Sequence, residues 1–284
     1  MVAESAKIKE DKNKSLPLAK AVGQINQLNN DRQNSNRSKL QQILNLVSGK
    51  SCIVGEQTVT INNDPSGFEF VKDQLSSKII NLGHDKQVTS MCVYASLSIK
   101  IWQYYPAVGE MILFRLYEVC PYLVPRKIEC LPNQTSEQYH RSLGFRHKDG
   151  GACEALDKFL TRMGAAAQFY ARIVCMEIPP SQHPHGMQEG WRWLACFLTL
   201  PPNKVGSAAV LQGFLSIAGA AFLKSYGKQF KKVLYFIINI YVPLLEKETI
   251  EGGHSDIVNL KRLLDNFKTS GTIPPPAEGY KQIL

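Results

Sequence analysis

The sequence predicts an all-α protein, built as an irregular stack of antiparallel helical hairpins. Three observations carry that prediction. Apolar residues recur at helical spacing through most of the chain, prolines and glycines cut the pattern into segments of ordinary helix length, and strand-like alternation is confined to one short stretch. With 44% apolar and 20% charged residues, 284 residues are enough to enclose a full core.

Residues 1–37 are polar, rich in Asn, Gln and Lys, and read as a flexible lead-in. From Lys39 the pattern changes. Leu40, Ile43, Leu44 and Val47 share one helical face, and Ser48-Gly49 end it. The stretch CIVGEQTVTI (52–61) alternates weakly, as one short strand or an extended crossing. A helix opens at Pro65, with Ser66 and Glu69 at capping-box spacing and Phe68, Val71, Leu75 and Ile79 as its apolar stripe. Segments 90–105 and 107–120 stop at Pro106 and Pro121, because proline lacks the amide donor and clashes with the preceding turn.

Pro121 to Asn133 reads as irregular. Thr135 and Gln138 then cap a short helix ending at Gly144. A long helix over about 154–176 carries Leu156, Phe159, Leu160, Met163, Ala167 and Tyr170 inward. Further helices follow at about 187–200, 205–225, 228–246 and 256–269, the last with Ser255 as N-cap. Residues 274–284 are too rich in proline for a long helix. The expected organisation is a lead-in over 1–37, one helical domain over 38–273 and a Pro-rich tail. No strict repeat period is visible, and each amphipathic helix needs a neighbour, so the stack is HEAT-like in manner.

The net charge is +9, and residues 1–39 hold eight Lys or Arg against four Asp or Glu. The mild excess elsewhere suits an acidic protein or a phosphorylated ligand without demanding a nucleic acid. Seven cysteines, no two closer than ten residues, exclude a CxxC zinc or redox unit and argue against a disulfide framework. MVAESAKIKEDKNK has no apolar centre, so it is not a signal peptide. The apolar runs 208–223 and 233–245 are each shorter than the roughly 20 residues a membrane span needs, so no transmembrane segment is expected.

The most distinctive stretch is HPHGMQEGWRWL (183–194). On a helix from Met187, Trp191, Leu194, Ala195 and Leu198 share one side. Trp193 and Phe197 lie on another, leaving Gln188, Arg192, Cys196 and Thr199 as a polar strip. Both tryptophans are expected inside, and Arg192 must reach solvent or a carboxylate. His183 and His185 would be zinc ligands with Cys196 only if a fourth ligand existed, and no HExxH or evident fourth position is present. His183-Pro184-His185-Gly186 is therefore read as a fixed turn that satisfies the helix start.

No GxGxxG, P-loop or GxSxG motif occurs, so neither an enzyme nor a metal centre is expected and a binding surface is the default. Two basic groups could form one. Arg141, Arg146, Lys148, Lys158 and Arg162 lie close in sequence, and Lys224, Lys228, Lys231 and Lys232 cluster between the two apolar runs. The aromatic residues fall on core stripes instead of between these cations, which disfavours direct sequence-specific nucleic-acid binding.

CPYLVPR (120–126), YHRSLGF (139–145), DKFLTRMGAAAQFYARI (157–173) and, above all, HPHGMQEGWRWLACFL (183–198) resemble the C-terminal domain of the Gle1 family of mRNA export factors, over about Lys39 to Tyr280. The resemblance implies a HEAT-repeat-like fold related to the middle domain of the translation factor eIF4G (MIF4G). It implies a non-enzymatic factor at the cytoplasmic face of the nuclear pore, present in nucleus and cytoplasm, that binds a DEAD-box RNA helicase, stimulates its ATPase and promotes RNA release. A nucleoporin's C-terminal motif and translation initiation and termination factors are the further implied partners. No cofactor is required for the fold. In fungal members inositol hexakisphosphate bridges the domain and the helicase through lysines, and here the Arg141–Arg162 group is the first candidate for it and the Lys224–Lys232 group the second. Arg126 stands where relatives tend to have Phe, and Gln168 where they often have Arg. The competing expectations are a translation-factor adaptor and a static nucleoporin scaffold.

Overall fold

The computed structural model describes residues 11–28, 33–61, 64–84, 88–147, 152–178, 183–248 and 253–281. Among them are eleven α-helices and one two-stranded hairpin, so the fold is all-α apart from that hairpin. Where the sequence suggests one domain over 38–273, the contacts group into two compact units. One is centred on Met1–Arg115, the other on Leu116–Glu177 with His185–Tyr280.

In the first unit, α1 (Lys12–Gly23) runs into a 3-10 turn (Gln24–Gln27). This corrects the lead-in expectation for its described part. Leu18, Ala21, Val22 and Ile25 are buried, and Tyr94 donates from its hydroxyl to the Ile25 carbonyl at 3.3 Å. A weak helical period was masked by Pro17 and by polar residues that keep to the outside. Helix α2 (Gln33–Val47) leads to β1 (Cys52–Val54) and β2 (Gln57–Val59), an antiparallel pair turned at Gly55, whose φ of +63° needs glycine. The expected single strand is thus a hairpin.

Helix α3 (Pro65–His84) starts two residues earlier than a Ser66 cap implies. Asp64 accepts from the Ser66 amide at 3.0 Å, and Glu69 instead pairs with Lys72 at 2.7 Å. Its Val71, Leu75 and Ile79 are buried against α4 (Val88–Tyr104), and α5 (Pro106–Val119) follows at once.

The second unit holds α6 (Ser136–Leu143), α7 (Leu156–Cys175), α8 (Met187–Thr199), α9 (Ser207–Phe236), a π-helical turn (Ile237–Tyr241), α10 (Val242–Glu248) and α11 (His254–Ser270). Thr135 and Gln138 form the expected capping box, and Gly144 ends α6 in the left-handed region. The N-cap of α11 is Gly253, not Ser255.

The tightest pairing in this unit is α7 on α9. A Cβ on Gly213 would overlap the Gly164 carbonyl oxygen and lie 3.1 Å from the Gly164 Cα, so both helices approach backbone to backbone. The run Gly164-Ala165-Ala166-Ala167 is what permits this. Ala166 and Ala167 are fully buried in the seam.

Helix α9 breaks at Gly227, where φ is +48° and ψ −115°. Across that break the two apolar runs still form one stretch, Ser207–Glu248, long and apolar enough by length and composition to cross a bilayer. That revises the length argument. However, 72% of its most apolar window is buried within the protein, so its apolar surface is already covered by other helices.

Candidate functional site

The signature His183–Trp193 opens α8. Gly186 is its N-cap, in extended backbone. His185 Nε2 lies 3.2 Å from the Tyr170 hydroxyl, with the two rings edge to face at 5.7 Å. Burial holds the imidazole below its usual pKa and pushes the Tyr170 phenol up, so both are neutral partners. His185 is thus a structural residue between α7 and the start of α8, and Cys196 is exposed on the far strip of the helix.

Trp193 is 4% exposed. It donates from Nε1 to the Tyr122 carbonyl at 3.3 Å and packs on Tyr170, Phe197 and Phe214. Tyr122 is held in turn by Asn203 at 3.2 Å, and its ring fills the space a side chain at Gly206 would take. Gln188, Arg192, Cys196 and Thr199 form the expected exposed strip. Arg192 meets Glu189 at 2.6 Å, the carboxylate that its position called for.

Trp191 departs from expectation. It is half-buried, its ring packed at a tilt against Phe222, Tyr226 and Phe230. Its face of α8 (Trp191, Leu194, Ala195, Leu198) lines an open groove of about 580 Å³, closed on the other side by Lys232, Val233 and Phe236 of α9. The same face was legible in the sequence. The break of α9 at Gly227, and the groove that its second half lines with this face, were not.

The two basic groups differ sharply. Arg162 is 7% exposed and fully engaged: its Nε donates to Glu154 at 3.1 Å, Nη1 to the Val119 carbonyl at 3.0 Å and Nη2 to the Gly144 carbonyl at 2.8 Å. Burial raises the Glu154 pKa, but the bonds from Arg162 outweigh it and hold the carboxyl below its usual range. Arg162 therefore ties the ends of α5 and α6 to α7: every guanidinium nitrogen is already bonded inside the protein, and only a second Nη1 N–H on this buried side chain remains. Arg141 is exposed and paired with Glu137 at 2.7 Å, Arg146 and Lys158 are exposed, and Lys148 lies outside the described residues.

Lys224, Lys228, Lys231 and Lys232 are all exposed, and among the described residues none of them has an ion-pair partner. Lys228, Lys231 and Lys232 follow the Gly227 break at i, i+3 and i+4 and so share one helical face. This group is a concentrated positive surface, and its Lys232 also lines the Trp191 groove.

The profile of the GLE1-like protein family matches residues 4–238. The chain belongs to the GLE1-like family. Mouse mRNA export factor GLE1 is 34% identical over 253 residues, covering 84% of this chain and 36% of the mouse protein. The zebrafish factor is 31% identical over 246 residues, again 84% of this chain and 35% of the relative. The chain thus spans about a third of the length of the curated relatives it matches. Among solved structures, a chain in the assembly of the S. cerevisiae Dbp5 C-terminal domain bound to Gle1 and IP6 superposes with a TM-score of 0.76. That match is 17% identical and covers 95% of this chain and 93% of the other, a likeness of fold.

Proposed function

We propose that this chain is the helicase-activating part of a Gle1-type mRNA export factor. In this reading it binds a DEAD-box RNA helicase at the cytoplasmic face of the nuclear pore and stimulates its ATPase, so that RNA is released. The carrying observation is family membership over residues 4–238, together with a fold shared along 95% of the chain with an assembly that contains a Dbp5 domain, Gle1 and IP6. The helical stack is read as HEAT-repeat-like and MIF4G-like, supported by the pairing of consecutive helices α3 with α4 and of α7 with both α8 and α9. The chain acts as a rigid clamp and not as a catalyst.

The mechanism follows from population shift. A partner that binds the separated helicase lobes better than the closed, RNA-bound form shortens the life of the closed form and speeds product release. Inositol hexakisphosphate is the bridging ligand in this reading. The Lys224, Lys228, Lys231 and Lys232 surface is its better-placed contact, because those ammonium groups are free while Arg162 is spoken for. The Trp191 groove beside it, apolar with a cationic rim, suits an extended or helical peptide such as a nucleoporin's C-terminal motif.

Titration calorimetry of the chain into the cognate helicase tests the mechanism. Tighter binding to the nucleotide-free helicase than to helicase locked on RNA with a non-hydrolysable ATP analogue supports it. Equal affinities exclude population shift, since a ligand without preference moves no equilibrium.

A further inference from the structure

Away from the groove and the lysine face, the end of α6 and the approach to α7 bring together three side chains that the sequence leaves thirteen residues apart. His140, His147 and Cys153 each present one ligand atom, and all three atoms lie within 4.8 Å of one another. The Cys153 sulfur is 3.9 Å from His140 Nδ1, and the His140 and His147 rings stack with centroids 6.2 Å apart.

The backbone builds this arrangement. Gly144 turns the chain out of α6 in the left-handed region, and His147 and Cys153 then face each other as an antiparallel bridge. Just outside that bridge, Glu154 donates from its amide to the Arg146 carbonyl at 2.8 Å, and its carboxylate accepts from the Arg146 amide at 3.2 Å. The buried Arg162–Glu154 pair and the stacked Phe145 and Phe159 rings, 3.8 Å apart, anchor the base. Among the described residues, His147 Nδ1 is buried with no hydrogen-bond partner, a cost that a bound cation or a matched donor removes.

We propose that His140, His147 and Cys153 form a zinc(II) site. Two imidazoles and one thiolate are a borderline-soft donor set that suits zinc, with solvent as the fourth ligand of a tetrahedron. Zinc–nitrogen bonds of about 2.0–2.1 Å and a zinc–sulfur bond of about 2.3 Å put tetrahedral donors some 3.3–3.6 Å apart. Small rotations of these partly exposed side chains reach that spacing. Binding forms one Zn–S and two Zn–N bonds and releases the Cys153 thiol proton to solvent, so affinity rises with pH. The ion clips the end of α6 to the segment that leads into α7.

Cobalt(II) titration of the whole chain, followed by visible absorption, tests the site. The expected result is one equivalent of cobalt giving tetrahedral d–d bands with a thiolate charge-transfer band, bleached by zinc. Cys153→Ser should abolish the charge-transfer band, and His140→Gln and His147→Gln the tetrahedral d–d bands. Cys130→Ser and Cys196→Ser, which remove the other exposed thiols, should leave them intact. Because the three ligands lie at the surface or partly exposed, circular dichroism of each variant should show an unchanged helical signal. Absent bands in the unaltered chain, or bands that persist in Cys153→Ser, overturn the proposal.

Discussion

Arg172, 2% exposed in the last turn of α7, donates to the Glu278 carboxylate at 2.6 Å and to the Gly279 carbonyl at 3.0 Å across more than a hundred residues of chain. The tail continues the same contact. Tyr280 donates to the Ile217 carbonyl at 2.6 Å, receives the Ala221 amide at 3.2 Å and accepts the Glu177 amide through its own carbonyl at 2.9 Å. The Pro-rich segment is therefore a strap over α7 and α9.

That strap predicts a measurable cost. Glu278→Gln leaves a buried guanidinium without its counter-charge and should lower unfolding stability by about 3 kcal/mol. Chemical denaturation reads it. A loss within error of zero shows that the tail is incidental to the fold.

Close approach of α7 and α9 predicts a second. Gly213→Ala places a methyl on the Gly164 carbonyl, which is backbone and cannot swing aside. Overpacking of this kind costs about 1–3 kcal/mol, whereas Gly271→Ala, in open space but at a φ of +70°, tests backbone strain alone. Thermal melting of the two variants separates steric from conformational effects.

The His185–Tyr170 pair predicts a pH dependence. Burial lowers the folded imidazole pKa below the ordinary 6.5, so the unfolded chain takes up the proton first. The contribution of neutral His185 is complete above that value and is lost as pH falls through the lower, folded pKa. His185→Gln should remove part of the fall in melting temperature between about pH 7.5 and about pH 5.5. An identical pH profile in the variant assigns the titration elsewhere.

For the lysine face, neutralising Lys228, Lys231 and Lys232 together should weaken inositol hexakisphosphate binding by at least about tenfold, about 1.4 kcal/mol, and flatten its salt dependence. Arg141→Gln with Lys158→Gln is the comparison. A larger loss there returns the site to the first basic group.

Much of this was legible in the sequence for a clear reason. Helix starts and stops are local chemistry, so Thr135–Gln138, Gly144 and Pro106 announce themselves. The apolar faces of α7 and α8 follow from spacing, and the small residues at 164–167 signal close packing. What the sequence hid depends on distant partners. Arg162 looks like a surface cation until Glu154, Val119 and Gly144 surround it. Glu278 looks like a tail residue, and Leu18 and Ile25 look like part of a polar lead-in. Trp191 sits on an apolar face that is only partly covered and lines a groove with Lys232, Val233 and Phe236 of α9.

The central claim is that this chain accelerates a helicase without chemistry of its own. ATP turnover by the cognate DEAD-box helicase, measured with RNA and inositol hexakisphosphate at several salt concentrations, addresses it directly. The account predicts a saturable rise in turnover as the chain is added, diminished by the Lys228, Lys231 and Lys232 substitutions. Turnover unchanged at every concentration, with the chain demonstrably bound to the helicase, contradicts it.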